Sequence, residues 1–118
     1  MPKTPELTRY ADMFAAMGAA PRLRIMRLLL SAHPTGMVVG EIGDELGIPN
    51  STLSHHLEKL KNVSLIGVTR EGAFLRYRAN TDGLSEILGF LYAECCTRNQ
   101  VVAAQKITCC TKTKSRAC

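Results

Sequence analysis

Apolar side chains return at helical spacing over residues 5–17, PELTRYADMFAAM, where Leu7, Ala11 and Phe14 share one face. Pro5 suits the first turn of this helix and Gly18 ends it. Residues 21–32, PRLRIMRLLLSA, predict a second helix that opens on Pro21 and is apolar around most of its circumference. Such a helix belongs at the centre of a domain. His33-Pro34-Thr35-Gly36 stops it. A short third helix follows over 39–46, VGEIGDEL, with Ile42 and Leu46 inward and Gly47 as its stop. A fourth spans about 51–62, STLSHHLEKLKN, with Asn50 as the expected N-cap and Leu53, Leu57 and Leu60 as its buried stripe. Two helices joined by a turn this tight, with a glycine in it, predict a helix-turn-helix.

After Val63 the period changes from helix to strand. GVTR and FLRYRA are short alternating runs joined by Glu71-Gly72-Ala73, which predicts a β-hairpin. A hairpin directly after a helix-turn-helix makes a winged helix. Residues 82–99, DGLSEILGFLYAECCTRN, predict a last long helix. Its stripe runs through Leu84, Ile87, Leu88, Leu91 and Tyr92 and extends to Cys95, with Cys96 turned about 100° away. The expected fold is mainly α with a small β-hairpin: three helices, a recognition helix, two strands and a last helix. Residues 1–100 are expected to form the winged-helix domain, and 101–118 a basic, cysteine-rich tail.

Length and composition fit one ordinary globular domain: 118 residues, 46% hydrophobic and 21% charged. The start of the chain has no signal-like apolar stretch. The uncharged apolar run ILGFLYA is too short to cross a bilayer, so the expectation is a cytoplasmic chain with reduced thiols and no membrane partner. The net charge of +5 favours an anionic partner. The outward face of the fourth helix carries Ser51, Thr52, Ser54, His55 and Lys59, and the hairpin adds Arg70, Arg76 and Arg78. Exposed Ser, Thr or Lys on a helix is ordinarily a solvated position. Short hydroxyls and an imidazole on a helix-turn-helix, beside a basic wing, instead suit base edges and phosphates of duplex DNA. His56, next to the leucine stripe, is expected to pack half-buried, and His33 to sit at a helix C-terminus. No nucleophile–base pair, phosphate loop or paired carboxylates suggests an enzyme.

The segments AAPRLRIMRLLL, GEIGDELGIPNSTLSHHLEKLKNVSLI and VTREGAFLRYRA resemble the ArsR/SmtB family of metal- and metalloid-responsive repressors, over about residues 8–92. STLSHHLEKL is the most specific part. The resemblance implies a winged-helix homodimer paired through its first and last helices, bound to an inverted-repeat operator and released by a toxic ion. The matching interface positions are Leu7, Phe14, Leu84, Leu88 and Leu91. Burying these stripes across a two-fold axis also makes physical sense, because the second helix already fills the centre of each subunit.

This chain departs from the family at its sensing sites. Where the family's arsenic sensors carry Cys-x-Cys, it has Val38 and Gly40, and residues 83–98 hold no histidine for a zinc site. All five cysteines lie at the end, at 95, 96, 109, 110 and 118. Trivalent arsenic takes three thiolates in a pyramid, and soft thiolates select soft ions. Cys95 and Cys96 are the expected first pair, with Cys109 or Cys110 supplying a third sulfur and Cys118 left out. Lys106, Lys112, Lys114 and Arg116 nearby would favour thiolates. The expected inducer is As(III), or Sb(III). Cadmium, lead and zinc stay open, as do a thiol-redox switch and a thiol-rich metal-binding module without an operator. Cys95 taken alone would be a packing residue on an apolar stripe.

Overall fold

A computed structural model describes residues 4–98. The expected domain boundary at residue 100 and the tail beyond it lie outside the described residues, as do Cys109, Cys110 and Cys118. The chain divides into two compact units, Met1–Asn80 and Thr81–Cys118.

The first unit holds α1 (Pro5–Met17), α2 (Ala20–Ser31), β1 (Met37–Val38), α3 (Val39–Leu46), α4 (Asn50–Asn62), β2 (Ile66–Glu71) and β3 (Phe74–Ala79). Its core is built from Tyr10 and Met13 of α1, Ile25, Met26 and Leu29 of α2, Ile42 of α3, and Leu53, Leu57 and Leu60 of α4, all buried. Each such aliphatic side chain contributes about 1.5–3 kcal/mol on burial. Within the unit α1 turns Tyr10, Met13 and Ala16 inward. The expected stripe stands at the edge of that face, with Leu7 and Phe14 half-buried and Ala11 exposed. Thr4 caps α1, its hydroxyl accepting from the Leu7 amide at 3.0 Å.

The helix-turn-helix closes tightly. Gly47 ends α3 in the left-handed region at φ 67°, and the amides of Gly47 and Ile48 both donate to the Gly43 carbonyl, at 2.8 and 3.2 Å. Gly43 is needed for close approach: a Cβ there would meet the Ile48 carbonyl at 3.3 Å and Leu53 at 3.4 Å. The start of α3 is closed by Glu41, whose carboxylate accepts from the Val38 amide at 3.1 Å. Arg24 of α2 reaches the last carbonyl of α3, at Leu46, 3.0 Å away. Asn50 is the first residue of α4 and not its cap. Pro49 stands in the cap position in extended backbone and makes no side-chain cap bond. The Pro49 carbonyl accepts the first helical bond, from Leu53 at 2.8 Å.

The wing has one strand more than expected. β1 pairs with β3, and β3 with β2, both antiparallel, in the order β1-β3-β2. Two residues are too few to show an alternating pattern, so β1 is silent in the sequence. Gly36, at φ 79° and buried, lets the chain enter β1. A Cβ there would strike the Tyr77 carbonyl and lie 2.6 Å from the Arg78 side chain. At the other end of the sheet, Asn80 donates from its side chain to the Ser64 carbonyl at 2.8 Å and from its amide to Leu65 at 2.9 Å. That fixes the wing to the end of α4.

The second unit holds α5 (Thr81–Tyr92), which ends before the predicted 82–99 does. Over residues 93–98 the chain runs in turns, so Cys95 does not extend the helical stripe.

Candidate nucleic-acid interface and thiol pair

The stripe of Leu53, Leu57 and Leu60 fixes how α4 is rotated. The opposite arc, Ser51, Thr52, Ser54, His55 and Lys59, is therefore exposed in full. All five expected contact residues share one open helix surface. Glu58 also lies on this arc and was missed in the sequence reading; it pairs with Lys61 at 3.8 Å, which offsets part of its charge. Exposed i,i+3 pairs of this kind are worth only a few tenths of a kcal/mol. His56 turns away from the arc, half-buried, with Arg22 Nη1 3.4 Å from its Nδ1. Burial lowers its pKa, and the positive charge of Arg22 lowers it further. Arg22 also donates to the Ala16 carbonyl. His56 is thus a packing residue, as its place beside the stripe suggested.

The wing sorts its arginines by strand alternation. Arg76 and Arg78 share the outer face with Thr69 and Glu71, whereas Arg70 points to the face that carries Leu75 and Tyr77. Arg76 Nε donates to Glu71 Oε1 at 2.9 Å, and Arg78 Nη2 stands 3.8 Å from Glu71 Oε2. Arg78 also donates to Thr69 Oγ1 at 3.0 Å, and Arg76 to the Gly36 carbonyl at 3.3 Å. One carboxylate therefore holds two guanidinium groups in a row along the wing. The sequence pattern located the arginines, but not this tie. Cross-strand register could have found it, since Glu71 lies opposite Phe74, two residues from Arg76 on the same face.

The thiols form a separate feature. After α5 the Cys95 amide donates to the Tyr92 carbonyl at 2.8 Å, and Cys96 takes the left-handed conformation at φ 63°. This turn brings Cys95 Sγ and Cys96 Sγ to 3.2 Å, both half-buried. Along a continuing helix the two side chains would diverge, so ending α5 early is what pairs them. The hydrogen-bonded Cys96 thiol pushes Cys95 above the usual thiol range, and burial adds to this. The Tyr92 hydroxyl, bonded to the same sulfur, pulls the other way. Among the described residues, no three His, Cys, Asp or Glu side chains converge as a metal site. The pair supplies two sulfurs, and the expected third ligands lie outside the described residues.

Of the expected interface positions in α5, Leu84 and Leu88 are half-buried and Leu91 is 62% exposed. Among the described residues no helix is long and apolar enough to cross a membrane.

The helix-turn-helix domain family matches residues 21–69, from α2 into β2. An HTH-type transcriptional regulator of Methanocaldococcus jannaschii is 38% identical over 78 residues, covering 66% of this chain and 85% of that protein. The transcriptional repressor SdpR of Bacillus subtilis is 30% identical over 80 residues, covering 68% and 86%. The crystal structure of NolR from Sinorhizobium fredii superposes with a TM-score of 0.58 at 28% identity, covering 79% of this chain and 94% of that one. With a recognition helix, a basic wing and these relatives, the chain belongs to the ArsR/SmtB-like winged-helix family of DNA-binding transcriptional regulators.

Proposed function

We propose that this regulator is a repressor that binds an inverted-repeat operator as a homodimer and leaves it when Cys95 and Cys96 capture trivalent arsenic or antimony. The observation that carries the reading is the 3.2 Å separation of the two sulfurs. An ion bonded about 2.3 Å from each sulfur would subtend an angle of about 90° between them. That is the geometry of a pyramidal trivalent ion, and it is narrower than tetrahedral zinc prefers. Cys109 or Cys110 supplies the third sulfur in this reading. Capture of arsenous acid exchanges each As–O bond for an As–S bond, the thiol proton leaving with the displaced hydroxide as water, so the exchange releases no net proton.

The α4 arc enters the major groove, with its N-terminal half against base edges and the wing arginines on phosphates. A second copy covers Leu7, Phe14, Leu84, Leu88 and Leu91, and the two-fold pairing presents two recognition helices about one DNA turn apart. Ligation at the end of α5 shifts that helix, which changes the dimer angle and with it the spacing of the recognition helices. An ion needs a differential affinity of only a few kcal/mol for the two states to empty the operator. The test is C95S and C96S in the full reduced chain. Both variants are expected to bind operator DNA like the native protein and to stay bound in arsenite. Loss of DNA binding before any arsenite is added would overturn the reading.

The same short sulfur contact favours a second reading, a thiol-redox switch. It predicts release by diamide and none by arsenite under strong reductant.

A further inference from the structure

Phe74 stands at the tip of the wing and is 62% exposed. Its position is fixed by the hairpin. Glu71 and Phe74 are Cα partners across a two-residue turn, Gly72-Ala73, with Gly72 at φ 62°. This is a narrow tip that does not splay the strands. On its own face Phe74 is followed by Arg76 and Arg78 and lies beside Glu71 and Thr69; Val38 of β1 stands on that face opposite Arg76, and the ring is still left largely exposed. In the free protein Glu71 is held by Arg76 and Arg78, at 2.9 and 3.8 Å. Arg70 is exposed on the opposite face of the same tip.

We infer that Phe74 is a DNA-binding residue that enters the minor groove beside the major-groove site of α4 and wedges its ring against the bases at a flexible pyrimidine–purine step. The inference rests on the DNA-binding role of the wing and adds to it a contact that is not electrostatic. A groove about 6 Å wide admits the narrow tip of a two-residue hairpin better than a broad loop. The arginines behind the ring meet the phosphates that border the groove. An apolar wedge there unstacks a step and kinks the duplex, so the protein gains sequence preference without hydrogen bonds to base edges.

The chain contains no Trp and three Tyr, so F74W introduces a single indole at the tip that is excited selectively at the red edge of its absorption, away from tyrosine. The reduced full chain is titrated with fluorescently labelled duplex from upstream of its own gene, reading DNA anisotropy and Trp emission together. Binding is expected to quench Trp emission by about half or more and to shield it from acrylamide, as the indole stacks on a base. F74A is expected to bind about tenfold more weakly, with an unchanged slope of log affinity against log salt. Saturated anisotropy with unaltered Trp emission, or F74A binding like the native chain, overturns the inference and leaves the regulator reading intact. If no variant binds the duplex, both fall together.

Discussion

Glu71 makes the wing testable by a single change of charge. Its carboxylate is 2.9 Å from Arg76 Nε and 3.8 Å from Arg78 Nη2, with both Glu71 and Arg78 about 40% exposed. Exposed pairs of this kind contribute about 0.2–1 kcal/mol each, so losing both in E71Q should cost the fold about 0.4–2 kcal/mol. On DNA the balance reverses. If the two arginines meet phosphates, the Glu71 charge stands roughly 8 Å from those same phosphates. At that distance in water each repulsion is worth about 0.5 kcal/mol. Removing two such terms is worth about 1 kcal/mol, or about a fivefold gain in affinity at low salt. The dependence of log affinity on log salt should also steepen by up to about 0.9, because one more phosphate is neutralised by protein. Fluorescence anisotropy at four salt concentrations, beside a urea melt of each protein, measures all three quantities. A folded E71Q protein that binds equally well or more weakly, with an unchanged salt slope, would refute the placement of the wing arginines on the DNA backbone.

Two further outcomes follow from the geometry. G36A should lose roughly 2–4 kcal/mol of stability by urea denaturation, since the left-handed φ of 79° costs a Cβ about 1–2 kcal/mol and its clash with the β3 backbone at Tyr77 adds to that; a loss under about 0.5 kcal/mol would contradict the contact. His56 has its folded pKa depressed below 6.5, so its contribution to stability is full above 6.5 and is lost as pH falls through the folded value. The urea midpoint of the native protein should therefore drop with acidification over that window, and H56Q should flatten the drop; an identical pH profile in both proteins would sink this assignment.

The helix-turn-helix was legible because its signals are local and redundant. Leu53, Leu57 and Leu60 fix one face of α4 by spacing, and that alone determines that Ser51, His55 and Lys59 point outward. Gly47 marks its turn for a backbone reason visible in the sequence, the left-handed conformation. Strand β1 was not legible, because two residues carry no period and their pairing with Tyr77 and Arg76 spans 38 residues or more. The end of α5 was misread for a different reason. ECCTRN continues the helical pattern, whereas in the structure the helix ends at Tyr92, the Cys95 amide bonds back to the Tyr92 carbonyl and Cys96 turns left-handed. That turn is what brings the two sulfurs together, so the adjacency of Cys95 and Cys96 suggested a pair while the helix expected there would have parted them. The Glu71 tie depends on strand register, which residue types alone do not state.

The most direct test of the thiol-controlled repressor is anisotropy of the reduced native chain on the DNA upstream of its own gene, with arsenite titrated into the preformed complex. Tight binding that low-micromolar arsenite reverses is expected, with the protein remaining folded and free of DNA. Binding that persists unchanged at saturating arsenite would contradict the repressor reading.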